Sequence, residues 1–322
     1  MSQNLEIQKE SSQKSFNLMK SIKVADIIRL TVIISLLAFA LTTPGFLSSL
    51  SIRSLLSTMS FVGCVAVGMT FITLSGNIMS FSIGAGLSAA TIIFVALLPY
   101  GLFTALVATV IFSAVINGIQ GWIIGYFRAN PIIVSMAGYS LIIGIMTYFT
   151  QGRGLYIQGS EAAFFKQNLG PIPGPFIGLV LAVIVAQLIL TYTRVGKRIY
   201  LTGSNSKAAL AAGFEPWKTI VWAYVLSGVF AAIAAILMAS RYSSGDLQHG
   251  IGLEFGAISA VLVGGTLIQG GKGSVLHTLL GTLLIAVFQA VLVLRGFSTE
   301  IQQLALGVVV LVVIMLQWKK DK

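Results

Sequence analysis

Charge is what this sequence most lacks. Asp, Glu, Lys and Arg make up 9% of its 322 residues, whereas apolar residues make up 56%. Soluble globular domains carry roughly 25% charged residues. So few charges cannot cover a water-facing surface. The apolar residues instead gather into long runs, and about 20 such residues cross a bilayer. Cysteine and histidine are also scarce. Cys64 stands alone inside an apolar run, which excludes an intrachain disulfide and a cysteine-built zinc site. His249 and His277 lie far apart, and no His/Cys/carboxylate group has metal-ligand spacing. No metal site and no catalytic residue is therefore expected. No series of carboxylates or bases crosses the apolar runs, which argues against a proton-coupled carrier; Na⁺ coupling through backbone carbonyls stays open.

The chain also lacks a phosphate-binding loop of its own. Thr266–Gly273 reads TLIQGGKG, whereas a P-loop needs Gly, four residues, then Gly-Lys-Ser/Thr. Thr266 stands where the first Gly belongs, and Gly273 follows Lys272. Any ATP must be hydrolysed by another polypeptide.

What is present defines an all-α integral membrane protein. Ten apolar segments can be drawn, near Ile27–Thr43, Leu55–Leu74, Ile83–Leu98, Leu102–Phe127, Ile132–Phe149, Phe176–Tyr192, Ile220–Met238, Leu253–Ile268, Val275–Leu294 and Ile301–Leu316. The third is short and rich in Gly and Ser, so a nine-helix reading with a re-entrant third segment competes. The formal charge of +11 does not signal nucleic acid, because the basic residues lie between apolar runs. They report topology. With the N-terminus in the cytoplasm and every segment spanning, the inner side holds Lys9, Lys14, Lys20, Lys23, Arg29, Arg128, Arg194, Lys197, Arg198, Lys207, Lys218, Lys272, Lys319, Lys320 and Lys322. The outer side keeps Arg53, Arg153, Lys166, Arg241 and Arg295. That excess inside favours an even number of spans with both termini cytoplasmic.

The domain layout follows. Residues 1–24 form a polar cytoplasmic tail with no apolar core, hence no cleavable signal peptide. Residues 25–318 form one transmembrane domain, and 319–322 a second cytoplasmic tail. Two connections are long. The outer one, Gln151–Pro175, carries Pro171, Pro173 and Pro175, which break helix before the next span. The inner one, 194–218, contains an Ala-rich stretch, Ser206–Ala212, compatible with a short helix. Asn205 is placed to cap its start and Gly213 to stop it.

Polar residues inside apolar surroundings are few. Ser75–Gly86, SGNIMSFSIGAG, interrupts the chain between the second and third spans. Asn77, Ser80 and Ser82 there either satisfy unwound backbone or line a solute path. Asn117, Gln120, Gln187 and Gln289 are either interhelical hydrogen-bonding groups or solute contacts. Glu254 falls at the expected external edge of the eighth span. Gly264, Gly265, Gly270 and Gly271 sit where that span turns into the ninth, as a tight turn between packed helices or as a flexible cytoplasmic gate.

Several stretches, in order, resemble a known family over nearly the whole chain. They are Thr43-Pro44-Gly45-Phe46-Leu47, Ala66-Val67-Gly68-Met69-Thr70 with Ser75-Gly76-Asn77-Ile78, Asn130-Pro131-Ile132-Ile133-Val134, and Gly196-Lys197-Arg198-Ile199-Tyr200 with Gly203-Ser204-Asn205, Ala208-Ala209 and Gly213. Gly252-Leu253-Glu254, Ala257-Ile258 and Val263-Gly264-Gly265-Thr266 with Gly270-Gly271-Lys272-Gly273 complete the set. The chain resembles the ribose-type permeases of bacterial ABC importers, a branch of the family that also moves branched-chain amino acids and nucleosides. The resemblance implies a multi-pass permease subunit in the bacterial cell membrane, carrying a small polar solute such as a monosaccharide. Its partners would be a second permease subunit, identical or different, an extracytoplasmic solute-binding protein, and a cytoplasmic ABC ATPase that uses ATP and Mg. This chain itself binds no cofactor. The coupling element by motif is Asn205, Ser206, Ala208, Ala209, Ala212 and Gly213.

The sequence departs from the family at three charged positions. Met79 and Ser80 stand where the family has an aspartate, Gly256 replaces another, and Ile142-Ile143-Gly144 replaces a Leu-Arg-Gly. Such departures also suit the diverged half of a heterodimeric permease. Two other readings stay in play: a stand-alone secondary transporter or channel, and a permease for nucleosides or branched-chain amino acids.

Overall fold

The computed structural model describes residues 38–159, 168–169 and 172–318. In chain order these hold α1 (Ser49–Leu74), α2 (Ile83–Leu97, continued to Tyr100 by a 3-10 turn), α3 (Leu102–Phe127), α4 (Pro131–Thr150), α5 (Gly174–Tyr192), α6 (Arg194–Ser204), α7 (Ser206–Ala211), α8 (Pro216–Tyr242), α9 (Leu253–Val263), α10 (Val275–Leu294) and α11 (Thr299–Trp318). Four two-residue strands, β1 (Leu155–Tyr156), β2 (Asn168–Leu169), β3 (Ile172–Pro173) and β4 (Ser244–Gly245), pair antiparallel as β1–β4 and β2–β3. Among the described residues seven helices are long and apolar enough to span: α1–α5, α8 and α10. The first expected span lies outside the described residues except for 38–43, of which 38–41 are helical.

Lipid offers the backbone no hydrogen bonds, so long apolar runs fold as helices that satisfy themselves. Association then depends on close packing, because lipid tails are as apolar as Leu. α1 is the axis of the bundle. Its span is 83% buried and it packs against α5, α8, α9 and α10. Phe71 of α1 stacks on Phe230 of α8 with centroids 5.6 Å apart. α3 and α8 run antiparallel, brought close by small residues; a β-carbon on Gly121 would lie 2.7 Å from that of Tyr224. α4 is peripheral, only 11% buried, and meets α2 and α3. Its start is set by Asn130, whose Oδ1 accepts from the Ile132 N–H at 2.9 Å ahead of Pro131.

Two expectations are corrected. The third segment is one apolar helix of 18 residues once its 3-10 turn is counted, and the expected interruption falls before it, in residues 75–82. The short one is the eighth. Its helix, α9, is Leu253–Val263, 11 residues instead of the drawn Leu253–Ile268. That is about 16 Å, half a bilayer core. The rest of this crossing is a 3-10 turn, Leu247–Gly250, set between short non-helical stretches. After α8 ends and β4 pairs with β1, the chain turns back along α2. Gly245 lies against Thr91 and Ile92, and Gly250 against Gly84. Seven α2 residues separate those contacts, about 10 Å of descent. Ser88 Oγ fixes the path by donating to the Leu247 carbonyl and accepting from the Gly250 N–H, both at 2.8 Å.

The stretch 75–82 does the same from the opposite end. It leaves the end of α1 and climbs back beside it, so that the Ser80 N–H points at Met69 Sδ, 3.4 Å away. That is about 8 Å above Leu74. Both α2 and α9 therefore begin inside the bundle.

Candidate coupling element and interior polar junction

The region expected to couple is built by local capping chemistry. Thr193 closes α5 and opens α6, its Oγ1 accepting from the Gly196 N–H at 3.2 Å. Asn205 then caps α7, with Oδ1 accepting from the N–H groups of Lys207 and Ala208, both at 3.0 Å. At the other end Gly213 takes φ +80°. Its N–H donates to the Leu210 carbonyl and that of Phe214 to Ala209, both at 3.0 Å, a Schellman arrangement. The Arg198 guanidinium lies 4.6 Å over the Phe214 ring and ties α6 to the turn after α7. Ala209 is buried, whereas Ser206, Ala208, Ala212 and Gly213 are exposed. Leu210, which sequence reasoning missed, is 60% exposed and is the large apolar side chain of this helix.

Sequence reasoning also missed α6. Val195, Ile199 and Thr202 stand at helical spacing and face inward, a signal masked by the basic residues among them.

α6 is held against two other segments by backbone contact. A β-carbon on Gly203 would overlap the Leu74 carbonyl oxygen and lie 2.6 Å from the Gly271 nitrogen. The Gly271 N–H itself donates to the Leu74 carbonyl at 3.0 Å. Tyr200 Oη donates to the Gly273 carbonyl at 2.9 Å, and Gly270 packs on Gly76. Of the four glycines singled out from sequence, Gly270 and Gly271 thus belong to the junction of α6, the end of α1 and the 264–274 loop. Gly264 and Gly265 instead form the turn after α9, where Gly264 packs on the His277 backbone and the Gly265 N–H bonds Leu262 at 2.9 Å. All four sit in packed turns in this conformation.

Asn77, Ser80, Ser82 and Asn117 are buried, with Asn77 following Gly76 at the α6 junction. Ser82 Oγ donates to Gln120 Oε1 at 2.6 Å and pairs with Ser80 Oγ at 2.9 Å. Asn77 Nδ2 donates to Ser75 Oγ at 2.9 Å. Asn117 Nδ2 donates to the Ser113 carbonyl at 2.9 Å, and its Oδ1 is buried without a protein partner. The Ser80–Ser82–Gln120 chain thus joins the irregular 75–82 segment to α3.

Glu254 is not at an external edge. It is 6% exposed, in the first turn of α9, with its neighbour Gly256 against Val62 in the middle of α1. The error arose from treating the crossing as one straight helix.

The family described as "Branched-chain amino acid transport system / permease component" matches residues 51–315. The ribose import permease of Bacillus subtilis (strain 168) is 33% identical over 91% of this chain and 90% of its own. That of Haemophilus influenzae is 30% identical over 89% and 90%. The L-arabinose ABC transporter permease of Azospirillum brasilense is 28% identical over 90% and 88%. None of the solved structures matches the chain. A bundle of apolar helices with a capped polar elbow is thus matched almost end to end, and the chain belongs to the permease family of the branched-chain amino acid transport system type.

Proposed function

We infer that this chain is the permease subunit of a binding-protein-dependent ABC importer for a pentose or a closely similar small sugar. The observation that carries the reading is the likeness, over about nine-tenths of both chains, to permeases named for ribose and L-arabinose. The chain would cross a bacterial cell membrane ten times with both termini inside, as the distribution of Lys and Arg favours. A second permease subunit would complete the path, and a binding protein would deliver sugar at the outer face. A partner ATPase would use ATP and Mg and press on α7, whose exposed Leu210 offers an apolar anchor. α6, clamped at Gly203 between α1 and the 264–274 loop, would carry that displacement into the bundle.

The test is reconstitution in vesicles with the ATPase and loaded binding protein. Ribose or arabinose should accumulate only with ATP inside the docking compartment. Ion-driven accumulation by the chain alone would overturn the reading in favour of a secondary transporter.

A further inference from the structure

α2 and α9 both begin in the interior, and neither start is capped by the side chain of its N-cap residue. Ser82, at the N-cap of α2, donates its hydroxyl proton to Gln120 and accepts from none of the α2 N–H groups. Gly252, at the N-cap of α9, has no side chain to offer. Buried helix starts normally find acceptors for their opening N–H groups. Between these two starts lies Glu254. Its Oε1 accepts from the Gly252 N–H at 3.3 Å. Its Oε2 has no protein partner and is aimed at the first turn of α2, where a β-carbon on Gly84 would collide with it. A carboxyl oxygen buried in this way carries an unmet need for a donor.

The two helix starts together offer more N–H donors than one carboxylate can accept, while Glu254 Oε2 accepts none of them in this packing. A small cation would suit the carboxyl but face the positive ends of two helix dipoles. A phosphate or carboxylate ligand would suit the helix starts but meet Glu254. A neutral polyhydroxyl compound meets both needs, since each hydroxyl both donates and accepts. Phe81 and Phe255, edge-to-face at 6.1 Å, flank the junction, and Phe255 is 38% exposed, so the site lies one side chain from the subunit surface. Irregular backbone at membrane depth persists where it is buried in protein or lines a cavity, and broken helices are a recurrent way to build a solute site.

We propose that the junction of the α2 and α9 starts is the sugar-contacting station of the translocation path, with Glu254 Oε2 accepting from a sugar hydroxyl once the two helices part at Gly84. The proposal rests on the reading of the chain as a sugar permease.

The test compares import of ribose and its monodeoxy analogues by the reconstituted complex carrying wild type or Glu254→Gln. One binding protein serves both, so its own discrimination cancels. Glu254→Gln should lower ribose import about ten- to a hundredfold while leaving one deoxy analogue within about twofold of wild type, because that analogue never had the contact. A uniform loss across all sugars, or none, overturns the proposal. If wild type imports none of these sugars, the functional reading itself fails and the proposal falls with it. Should Glu254 variants not reach the membrane, Ser82→Cys in a Cys64→Ala background keeps Glu254 intact. Ribose delivered during ATP turnover should slow its thiol labelling, and labelling indifferent to ribose overturns the proposal.

Discussion

Gly203→Ala is the sharpest probe of the proposed coupling geometry. The added methyl would overlap the Leu74 carbonyl oxygen, with the Gly271 nitrogen at 2.6 Å and the Leu74 carbonyl carbon at 3.0 Å. All three are backbone atoms, so no rotamer change relieves the overlap. Either α6 retreats from α1, or the Gly271 N–H···Leu74 bond opens. Overpacking of this kind costs about 1–3 kcal/mol and a lost hydrogen bond about 1 kcal/mol. Replacing a helical Gly by Ala returns up to about 1 kcal/mol. The net loss is about 1–3 kcal/mol, concentrated where α6 touches α1. Gly144→Ala is the matched control, since nothing lies within 4 Å of a β-carbon there. In reconstituted complexes Gly203→Ala should lower both the Tm and the ATP turnover stimulated by loaded binding protein, while ATPase docking persists. Gly144→Ala should change neither downward. Parent-like Tm and coupling in Gly203→Ala would refute the argument that α6 transmits force through this contact.

Other consequences are more local. Asn205→Ala removes two bonds at the start of α7 and should cost that helix about 1 kcal/mol; Gly213→Val places a β-branched residue at φ +80° and should be worse. Both should reduce stimulated ATP turnover with binding-protein docking unchanged, and coupling like the parent would mean that α7 transmits nothing. Gln158→Cys and Ser206→Cys, each in Cys64→Ala, should label from opposite faces of intact cells; labelling of both by an impermeant external reagent sinks the ten-span topology. Ser82→Ala leaves Gln120 Oε1 without its donor, at about 1–3 kcal/mol, so the Tm should fall, and an unchanged Tm would show that this bond contributes nothing.

Which parts of this arrangement were legible depended on whether their causes are local. α3 and α10 could be drawn to the residue, and the middle of α8 was found though the helix runs four residues further at each end, because a long apolar run carries its own backbone bonds. α7 was legible from Asn205 and Gly213, since a cap acts within four residues. The irregular descent of residues 243–252 was not. What holds it is Gly84 and Ser88 of α2, more than 150 residues away in sequence, and no periodicity records such a partner. Glu254 was misplaced for the same reason: its depth follows from the path of the preceding residues, not from its own neighbours. Gly203 was visible as a glycine, but its need to be one lies in the Leu74 carbonyl.

These long-range contacts share one geometry. The first irregular stretch is rooted at Gly76 and leads to the start of α2. α9, the half-helix of the second crossing, is rooted at its other end in the 264–274 loop. α6 touches both roots, through Gly203 against Leu74 and Gly76 and through Tyr200 and Ser204 against Gly273 and Gly271. One short helix thus abuts the segments adjoining both interior helices, and those helices converge on Glu254. A displacement of α6 by about an ångström cannot be absorbed at Gly203, because the contact is backbone to backbone and packed interiors transmit strain instead of yielding to it. On the mechanism proposed above it would pass to the two roots and so act to part α2 from α9.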